Sequence, residues 1–303
     1  MKQGKRLLYY EVGRHRNLPY GIIMKEVLDK IKIIPISEIL LHEGVVAEWT
    51  EKLKLNIDHD GIMKNPIIVT RYQDHYIALD GMHRVTAMKA LGCRDIVVYE
   101  VDYDDPSIGL FGWDALILDA CPVPRLLEAF VQRENLSLTT HEDFAGAVEN
   151  IRRHRSCFAI LTREQEVYEI RMREERSSLD LLIRALKDFE ADLDRRNLRI
   201  IYVADDQSER TFQQHRNAFS LFKRPFFTKD EVVRRTIEGK ILPRKSTRHL
   251  FPLRPLRIDI DFILLKEEID LVTKNQLLQS RITWCLENNM VRYYPESVLV
   301  LSD

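Results

Sequence analysis

The sequence predicts an α+β protein: a small mixed sheet with helices in the first third of the chain, then a C-terminal mixed α/β lobe. Two β-branched runs, 67–70 and 96–101, are typical of strands. Between them, at residue 80, the apolar spacing changes from the alternation of a strand to the three-to-four spacing of a helix. Beyond residue 106 helical and strand patterns continue without a Gly/Ser-rich linker, so we expect a second compact region there.

Local signals mark the elements of the first region. Pro35 lies near the end of one apolar run, and Pro66 lies directly before another. Ser37 can cap a helical turn, and Gly61 and Gly92 each follow a segment with helical spacing, where a helix would stop. The predicted elements are a strand at 31–36, a helical turn at 37–43, a helix at 46–57, strands at 67–70 and 75–79, a helix at 84–91 and a strand at 96–101.

The second region alternates helices with strands. Thr228 is a candidate helix cap and Gly239 a candidate stop. The predicted elements are helices at 113–120, 124–134 and 140–153, a hairpin of 156–161 and 167–171, a helix at 178–193, a strand at 198–203, a helix at 229–238, alternation at 258–262 and a helix at 267–289. We therefore predict domains at 1–106 and 107–303.

Composition limits the classes of function. A net charge of −1 argues against a protein whose main task is to bind nucleic acid through its overall electrostatic field, because such domains carry an excess of Lys and Arg. The four cysteines are far apart and lack CxxC spacing, as expected of reduced thiols rather than a metal site. Neither a signal-peptide core nor a run of about 20 apolar residues is seen, so we expect a cytoplasmic protein with no membrane partner.

The segment Asp80-Gly81-Met82-His83-Arg84 lies between a predicted strand and a predicted helix. A helix N-terminus offers unpaired amides to a phosphate, glycine allows close approach, and His and Arg add donors. We assign Gly81, Met82, His83 and Arg84, with the preceding Lys64, to nucleotide binding, and Asp80 to a metal ion. The alternative is that Asp80 caps the helix while His83 and Arg84 are surface residues.

The run from IIPISEILLHEG through DGIMKNPIIV to YIALDGMHRVTAMKALGCRDIVVYEVDY resembles the ParB/sulfiredoxin superfamily. In that superfamily the turn after the strand binds nucleotide phosphates. Sulfiredoxins carry a nucleophilic Cys where this chain has Met82, so the resemblance does not imply sulfiredoxin activity. Partition-type ParB proteins continue with a helix-turn-helix and an Arg-rich box, neither of which is found here.

Three further segments resemble free serine kinases, the branch of this superfamily that phosphorylates L-serine itself. In LLHEG the resemblance implies that Glu43 is the general base, although an isolated Glu is more often a solvated surface residue. In LFGWD it implies that Trp113 lines the serine pocket, although such a Trp is more often a packing residue. Before a Pro-rich segment it implies that Ser246, Thr247, Arg248 and His249 bind substrate or phosphate, although a lone patch of this kind would be a solvated basic loop.

The resemblance implies a kinase that uses ATP or ADP with Mg²⁺ to convert L-serine into O-phospho-L-serine, in a cleft between the two domains. Glu43, Asp80 and His83 are the predicted catalytic residues. The chain has no GxxxxGK[ST] segment, so a P-loop kinase is excluded. The alternative is a ParB-like nucleotide switch that regulates transcription through DNA, and a ParB-like nuclease would need an acidic cluster that is not found. The sequence disfavours nucleic acid as a partner without excluding it. It does not show whether ATP or ADP is the phosphoryl donor, or whether the protein forms a homodimer. The pathway is also open: cysteine synthesis, siderophore biosynthesis or another secondary product.

Overall fold

The computed structural model describes residues 25–134, 136–141, 143–173 and 178–294. The chain divides into two compact units, one formed by the described residues of 1–39, 46–102 and 253–303, the other by those of 40–45 and 103–252. These units differ from the two consecutive segments, 1–106 and 107–303, that the sequence predicts. The difference arises because the end of the chain packs with the first unit.

The strands, in chain order, are β1 (Ile31–Pro35), β2 (Ile39–Leu41), β3 (Ile62–Met63), β4 (Ile67–Tyr72), β5 (His75–Asp80), β6 (Asp95–Glu100), β7 (Gly109–Phe111), β8 (Trp113–Ile117), β9 (Leu136–His141), β10 (Ser156–Thr162), β11 (Val167–Met172), β12 (Ile200–Ala204), β13 (Ser220–Lys223), β14 (Arg248–Leu250) and β15 (Ile260–Asp261). The α-helices are α1 (Ala47–Asp60), α2 (Met82–Ala90), α3 (Val123–Glu134), α4 (Phe144–Arg152), α5 (Leu179–Arg195), α6 (Ser208–Gln214), α7 (Lys229–Ile237), α8 (Phe262–Lys266) and α9 (Leu271–Glu287), and 3₁₀ helices span Ile36–Glu38 and Asp205–Gln207.

A five-stranded mixed sheet organises the first unit, in the order β1-β6-β4-β5-β2. Strands β4 and β5 form an antiparallel hairpin, β4 pairs with β6 in parallel, and β1 pairs with β6 antiparallel. The chain passes into the second unit within β2. Ile67, Ile77 and Val98 are fully buried, as expected for β-branched and aliphatic residues in a sheet packed against helices. The predicted small mixed sheet with helices is confirmed.

The C-terminal helix α9 explains why the end of the chain belongs to the first unit. Its Asn275 accepts a hydrogen bond from the main-chain N–H of Ile33 at 2.8 Å and donates to the carbonyl of Ile33 at 2.9 Å. These bonds satisfy main-chain groups of β1, which is an edge strand and would otherwise expose them. The fully buried Lys274 donates to Asp95 at 2.6 Å, so a buried ion pair also holds α9 to this unit.

The second unit is built on a six-stranded antiparallel sheet in the order β12-β8-β13-β10-β11-β9. One face packs against α3 and α5, where Phe158 and Phe189 stack with ring centroids 4.6 Å apart. The other face packs against α4 and α6, with Phe212 of α6 buried among the strands. Both faces of the central strands are therefore covered by helices, as in other α/β layer architectures.

Two helix predictions in this unit are wrong. The predicted helix at 113–120 is strand β8, in which Ala115 and Ile117 point to one core and Leu116 to the other. A strand buried on both faces is a continuous apolar run, which periodicity does not distinguish from a buried helix. The predicted helix at 140–153 begins later than expected, at α4, whose N-cap is Asp143, because residues up to 141 form β9.

Two shorter antiparallel pairings complete the fold, one of β3 with β15 and one of β7 with β14. Strand β7 pairs antiparallel with β14, placing Arg248 opposite Phe111 and His249 opposite Leu110. Segments predicted as separate parts of the substrate site therefore form one ribbon. Within the part of the chain that the structure describes, no helix combines the length and the apolar character that crossing a membrane requires.

Candidate active site

The turn between β5 and α2 has the backbone geometry of an anion site. Gly81, rather than Asp80, is the N-cap of α2. It adopts φ 94° and has no side chain with which to cap the helix. Asp80 therefore does not cap the helix, and the alternative interpretation of this segment fails on that point. A Cβ at Gly81 would lie 2.7 Å from Cγ2 of Ile67, so only glycine fits. The first turn of α2 consequently presents main-chain amides and the positive end of the helix dipole.

Arg84 braces this turn from within the first unit. Its Nη1 donates to the carbonyl oxygens of Asn65 at 2.9 Å and Pro66 at 2.6 Å, and its Nη2 donates to Asp80 Oδ2 at 2.9 Å. Burial lowers the pKa of the Arg84 guanidinium, while the carboxylate of Asp80 acts in the opposite direction. These contacts differ from the predicted role of a direct phosphate ligand, because two nitrogens of Arg84 already hold the turn to the start of β4.

Asp80 and Lys64, both predicted to bind nucleotide or metal, have charged partners. Asp80 Oδ2 also receives a hydrogen bond from Arg254 at 3.2 Å, so two guanidinium groups meet the same oxygen. Lys64 contacts Asp60 at 2.6 Å, and this hydrogen bond lowers the pKa of Asp60. Among the described residues, no group of three or more His, Cys, Asp or Glu side chains is arranged to hold a metal ion.

His83 joins the beginnings of two helices. Its Nε2 accepts a hydrogen bond from the main-chain N–H of Val46, the N-cap of α1, at 3.1 Å. An amide only donates, so Nε2 carries no proton in this arrangement and the proton of a neutral ring is on Nδ1. The Trp49 ring lies beside His83, with centroids 5.9 Å apart. Met82 is the partly buried first residue of α2.

Glu43, in the second unit, is a buried carboxylate held by four donors. Oε1 accepts from the N–H of Lys245 at 2.6 Å, and Oε2 accepts from the N–H groups of Ser246 at 3.1 Å and Thr247 at 3.0 Å. The hydroxyl of Thr247 also donates to Oε2, at 2.9 Å. Glu43 is therefore not the solvated surface residue that an isolated Glu would be, and the main-chain amides of 245–247 fix the orientation of its carboxylate.

His42 extends this network, and no pattern in the sequence identified it as a site residue. It is fully buried, and its Nε2 lies 2.8 Å from the hydroxyl oxygen of Thr247. Because Thr247 has one hydroxyl proton, which it donates to Glu43, its oxygen must accept from His42 Nε2–H. The result is a directed chain of hydrogen bonds from His42 through Thr247 to Glu43.

Trp113 and Ser246 hold the 244–247 loop in place. The indole N–H of Trp113 donates to the carbonyl of Thr247 at 3.1 Å, and the hydroxyl of Ser246 donates to the carbonyl of Pro243 at 2.7 Å. The buried Arg224, which sequence analysis missed, donates to main-chain carbonyls of Trp113, Arg244 and Lys245. It also pairs with Glu190 at 2.7 Å, and burial raises the pKa of that carboxyl.

Arg248 and His249 lie side by side in β14, in different environments. His249 is buried, and its Nε2 lies 2.7 Å from the hydroxyl of Tyr103, whose pKa is raised by burial. Arg248 packs over Phe111, with its guanidinium carbon 5.0 Å from the ring centroid, and its Nη2 donates to Asp206 at 2.7 Å. The predicted substrate residues of the second unit, Trp113 and 246–249, thus come together around one loop and one ribbon.

The chain is similar to proteins named as L-serine kinases. It is 24% identical to an ATP-dependent L-serine kinase of Staphylothermus marinus, over 78% of this chain and 92% of the relative. It is 22% identical to the ADP-dependent L-serine kinase SerK of Thermococcus kodakarensis, over 75% of this chain and 89% of the relative. The ATP-dependent L-serine kinase SbnI of Staphylococcus aureus is 37% identical, over 28% of this chain and 34% of SbnI. No family model matches the chain.

Solved structures with the same fold are described in similar terms. A free serine kinase in complex with AMP aligns with a TM-score of 0.65 and 20% identity, over 78% of this chain and 93% of the other. SbnI with a C-terminal truncation, from Staphylococcus aureus, aligns with a TM-score of 0.68 and 20% identity, over 88% and 99%. At this level of identity the structures establish the fold. Together with the relatives in sequence, they confirm the chain's resemblance to the free L-serine kinase branch.

Proposed function

We propose that this protein transfers a phosphoryl group from a nucleotide to the side-chain hydroxyl of free L-serine, giving O-phospho-L-serine. The observation that carries the proposal is the alignment with a named L-serine kinase over 92% of that relative. In the reaction the serine oxygen forms a bond to the terminal phosphorus, the bond from that phosphorus to the nucleotide breaks, and the serine hydroxyl loses its proton. Catalysis of such a transfer rests on positioning and on neutralisation of charge.

The first turn of α2 would receive the nucleotide phosphates. Three features support this assignment. Gly81 has no side chain to cap the helix, only glycine fits beside Ile67, and the dipole of α2 is positive at this end. Arg84 would act by fixing this turn, and His83 by adding a polar ring at its edge. Mg²⁺ is normally bound by one or two carboxylates and by the phosphates themselves, which fits a chain that offers Asp80 and no larger acidic group among its described residues. The ion would neutralise charge on the phosphates.

Glu43 would accept the serine proton through Oε1. A carboxylate has about four lone-pair positions, and Oε2 already receives three hydrogen bonds whereas Oε1 receives one. Oε1 therefore retains capacity for the hydroxyl of a substrate. The bonds to Oε2 would keep the carboxylate correctly oriented, and His42 would fix the hydroxyl of Thr247 that supplies one of them.

The ribbon and loop of the second unit would hold the small substrate. Trp113 would wall the serine pocket, and Arg248 would meet a negatively charged group of substrate or product. Thr247 and His249 are buried and hydrogen-bonded, and the Ser246 hydroxyl donates a hydrogen bond to the carbonyl of Pro243. We therefore assign these three residues to shaping the site. The relatives described above are named as kinases, so the DNA-binding alternative is not favoured.

Product analysis tests the proposal. The purified protein is incubated with Mg²⁺, with ATP or ADP, and with L-serine, L-threonine, L-homoserine or D-serine, and products are identified by mass spectrometry. We expect O-phospho-L-serine from L-serine with at least one of the two nucleotides, and none when EDTA removes the ion. Absence of phosphoserine with both nucleotides, in protein shown to be folded by circular dichroism, would overturn the proposal.

A further inference from the structure

A second acidic group lies beside Trp113 and has no place in the mechanism above. Asp205 begins a 3₁₀ helix, and its N–H donates to the carbonyl of Gly112 at 3.4 Å. A Cβ at Gly112 would lie 3.5 Å from Asp205 Oδ2, so the carboxylate packs directly against the main chain that precedes Trp113. The location places a negative charge next to the proposed wall of the serine pocket.

The carboxylate of Asp205 is incompletely paired. Its Oδ1 is buried and has no hydrogen-bond partner among the described residues. Lys223 donates to Asp114 at 2.6 Å and to the main-chain carbonyl of Asp205 at 3.3 Å, and Ser208 donates to that same carbonyl at 3.1 Å. The neighbouring donors thus use the backbone of Asp205 rather than its side chain. A buried carboxylate oxygen without a donor is costly, so its presence calls for a partner.

An unpaired donor lies against the aromatic residues on either side of Gly112. The guanidinium carbon of Arg248 is 5.0 Å from the ring centroid of Phe111 and 5.9 Å from that of Trp113. Its Nη2 is bound to Asp206, but its Nε is buried and without a hydrogen-bond partner among the described residues. The incompletely paired carboxylate of Asp205 therefore lies beside Gly112, and the incompletely paired guanidinium of Arg248 lies beside the rings of the two flanking residues, Phe111 and Trp113.

We infer that Asp205 binds the α-ammonium group of the amino-acid substrate and thereby makes the enzyme selective for a free amine. A zwitterion has a cationic and an anionic end, and the two unpaired groups have the complementary charges. Asp205 is only partly buried as a residue, and rotation of its carboxylate exchanges Oδ1 and Oδ2, so an ammonium group can reach it. Arg248 would meet the anionic end. This inference rests on the proposed function.

The test compares two substrates that differ in the ammonium group. Wild type and Asp205→Asn are assayed with L-serine and with 3-hydroxypropanoate, which has the carboxylate and the hydroxyl but no amine. We expect Asp205→Asn to lower kcat/KM for L-serine about 10- to 100-fold, since a charge-assisted hydrogen bond is lost. The constant for 3-hydroxypropanoate should stay within about twofold. If 3-hydroxypropanoate is not turned over, its inhibition constant against phosphorylation of L-serine replaces kcat/KM.

Two controls separate selectivity from folding. Asp230→Asn makes the same chemical change at an exposed position in the same unit and should leave both constants unchanged. If Asp205→Asn is poorly folded, Asp205→Ser is assayed with the same two substrates. The ratio of the two kcat/KM values does not depend on the fraction of protein that is folded. Equal loss with both substrates would overturn the role of Asp205 and leave the kinase proposal standing. A wild-type protein that makes no phosphoserine would overturn both.

Discussion

Replacing Glu43 by Gln removes the proposed proton acceptor while preserving the shape of the side chain. The amide oxygen of Gln can take the place of Oε2 and keep the three hydrogen bonds from Ser246 N–H, Thr247 N–H and Thr247 hydroxyl. The amide NH₂ then takes the place of Oε1, where it faces the N–H of Lys245. One buried donor is left without an acceptor, and the variant has no basic oxygen for the substrate.

Two magnitudes follow from this geometry. One unsatisfied buried donor costs about 1–3 kcal/mol, so the free energy of unfolding should fall by that amount and the protein should remain folded. Loss of a general base lowers turnover by about 10²–10⁴-fold. The KM for nucleotide should change little, since the α2 turn lies in the first unit and does not include Glu43.

The assay measures kcat for phosphoserine formation, KM for nucleotide and urea unfolding in parallel. Glu164→Gln, at an exposed hairpin position of the same unit, is the matched control and should behave as wild type. A Glu43→Gln protein that keeps more than about a tenth of the wild-type kcat would contradict the base assignment. A loss of stability well above 3 kcal/mol would instead show that the amide of Gln does not keep the three hydrogen bonds from Ser246 and Thr247.

Two further predictions concern the phosphate turn and the second unit. Gly81→Ala should be destabilised and raise the KM for nucleotide, because left-handed strain of about 1–2 kcal/mol adds to the contact with Ile67. Gly92→Ala, with φ 77° and no neighbouring atom within 4 Å, should show the strain alone and an unchanged KM. Burial disfavours ionisation of Asp192, but the hydrogen bonds and positive charges of Arg133 and Arg195 together outweigh it and lower the pKa of this carboxyl below 3.8. Its stabilisation is therefore present above pH 3.8 and lost as the pH falls through the lowered pKa. Asp192→Asn should be less stable by about 1 kcal/mol at pH 7 and approach wild type as the pH falls below that pKa, as measured by urea unfolding. A pH-independent difference between Asp192→Asn and wild type would contradict that account, as would equal KM effects of the two glycine variants.

The elements that the sequence predicted are those with a local signature. Strands β4 and β6 have β-branched runs, β5 follows the turn at 72–74, and α7 has a capping box formed by Thr228 and Glu231. Strand β8 was predicted as a helix because both its faces are buried, which removes the alternation that identifies a strand. Strands β7 and β14 have three residues each, too few for any period, and exist because they pair with each other.

The site shows the same division between local and distant information. The Asp80–Arg84 turn could be predicted because strand, glycine and helix are adjacent in sequence. The main-chain partners of Arg84 are 18 and 19 residues away and those of Glu43 more than 200, so no spacing rule could pair them. Resemblance to a family identified Glu43 and the 246–249 segment. It gave no indication of His42 or Asp205, whose positions depend on how the chain folds.

An isotope label shows whether the hydroxyl of L-serine attacks the terminal phosphorus of the nucleotide. L-serine carrying ¹⁸O in its side-chain hydroxyl is incubated with the protein, Mg²⁺ and nucleotide, and the phosphoserine is analysed by mass spectrometry before and after phosphatase treatment. If this hydroxyl attacks, the label stays in the bridging position of the ester and returns with the serine after phosphatase treatment. A product that has lost the label, or nucleotide hydrolysis without phosphoserine, would contradict it.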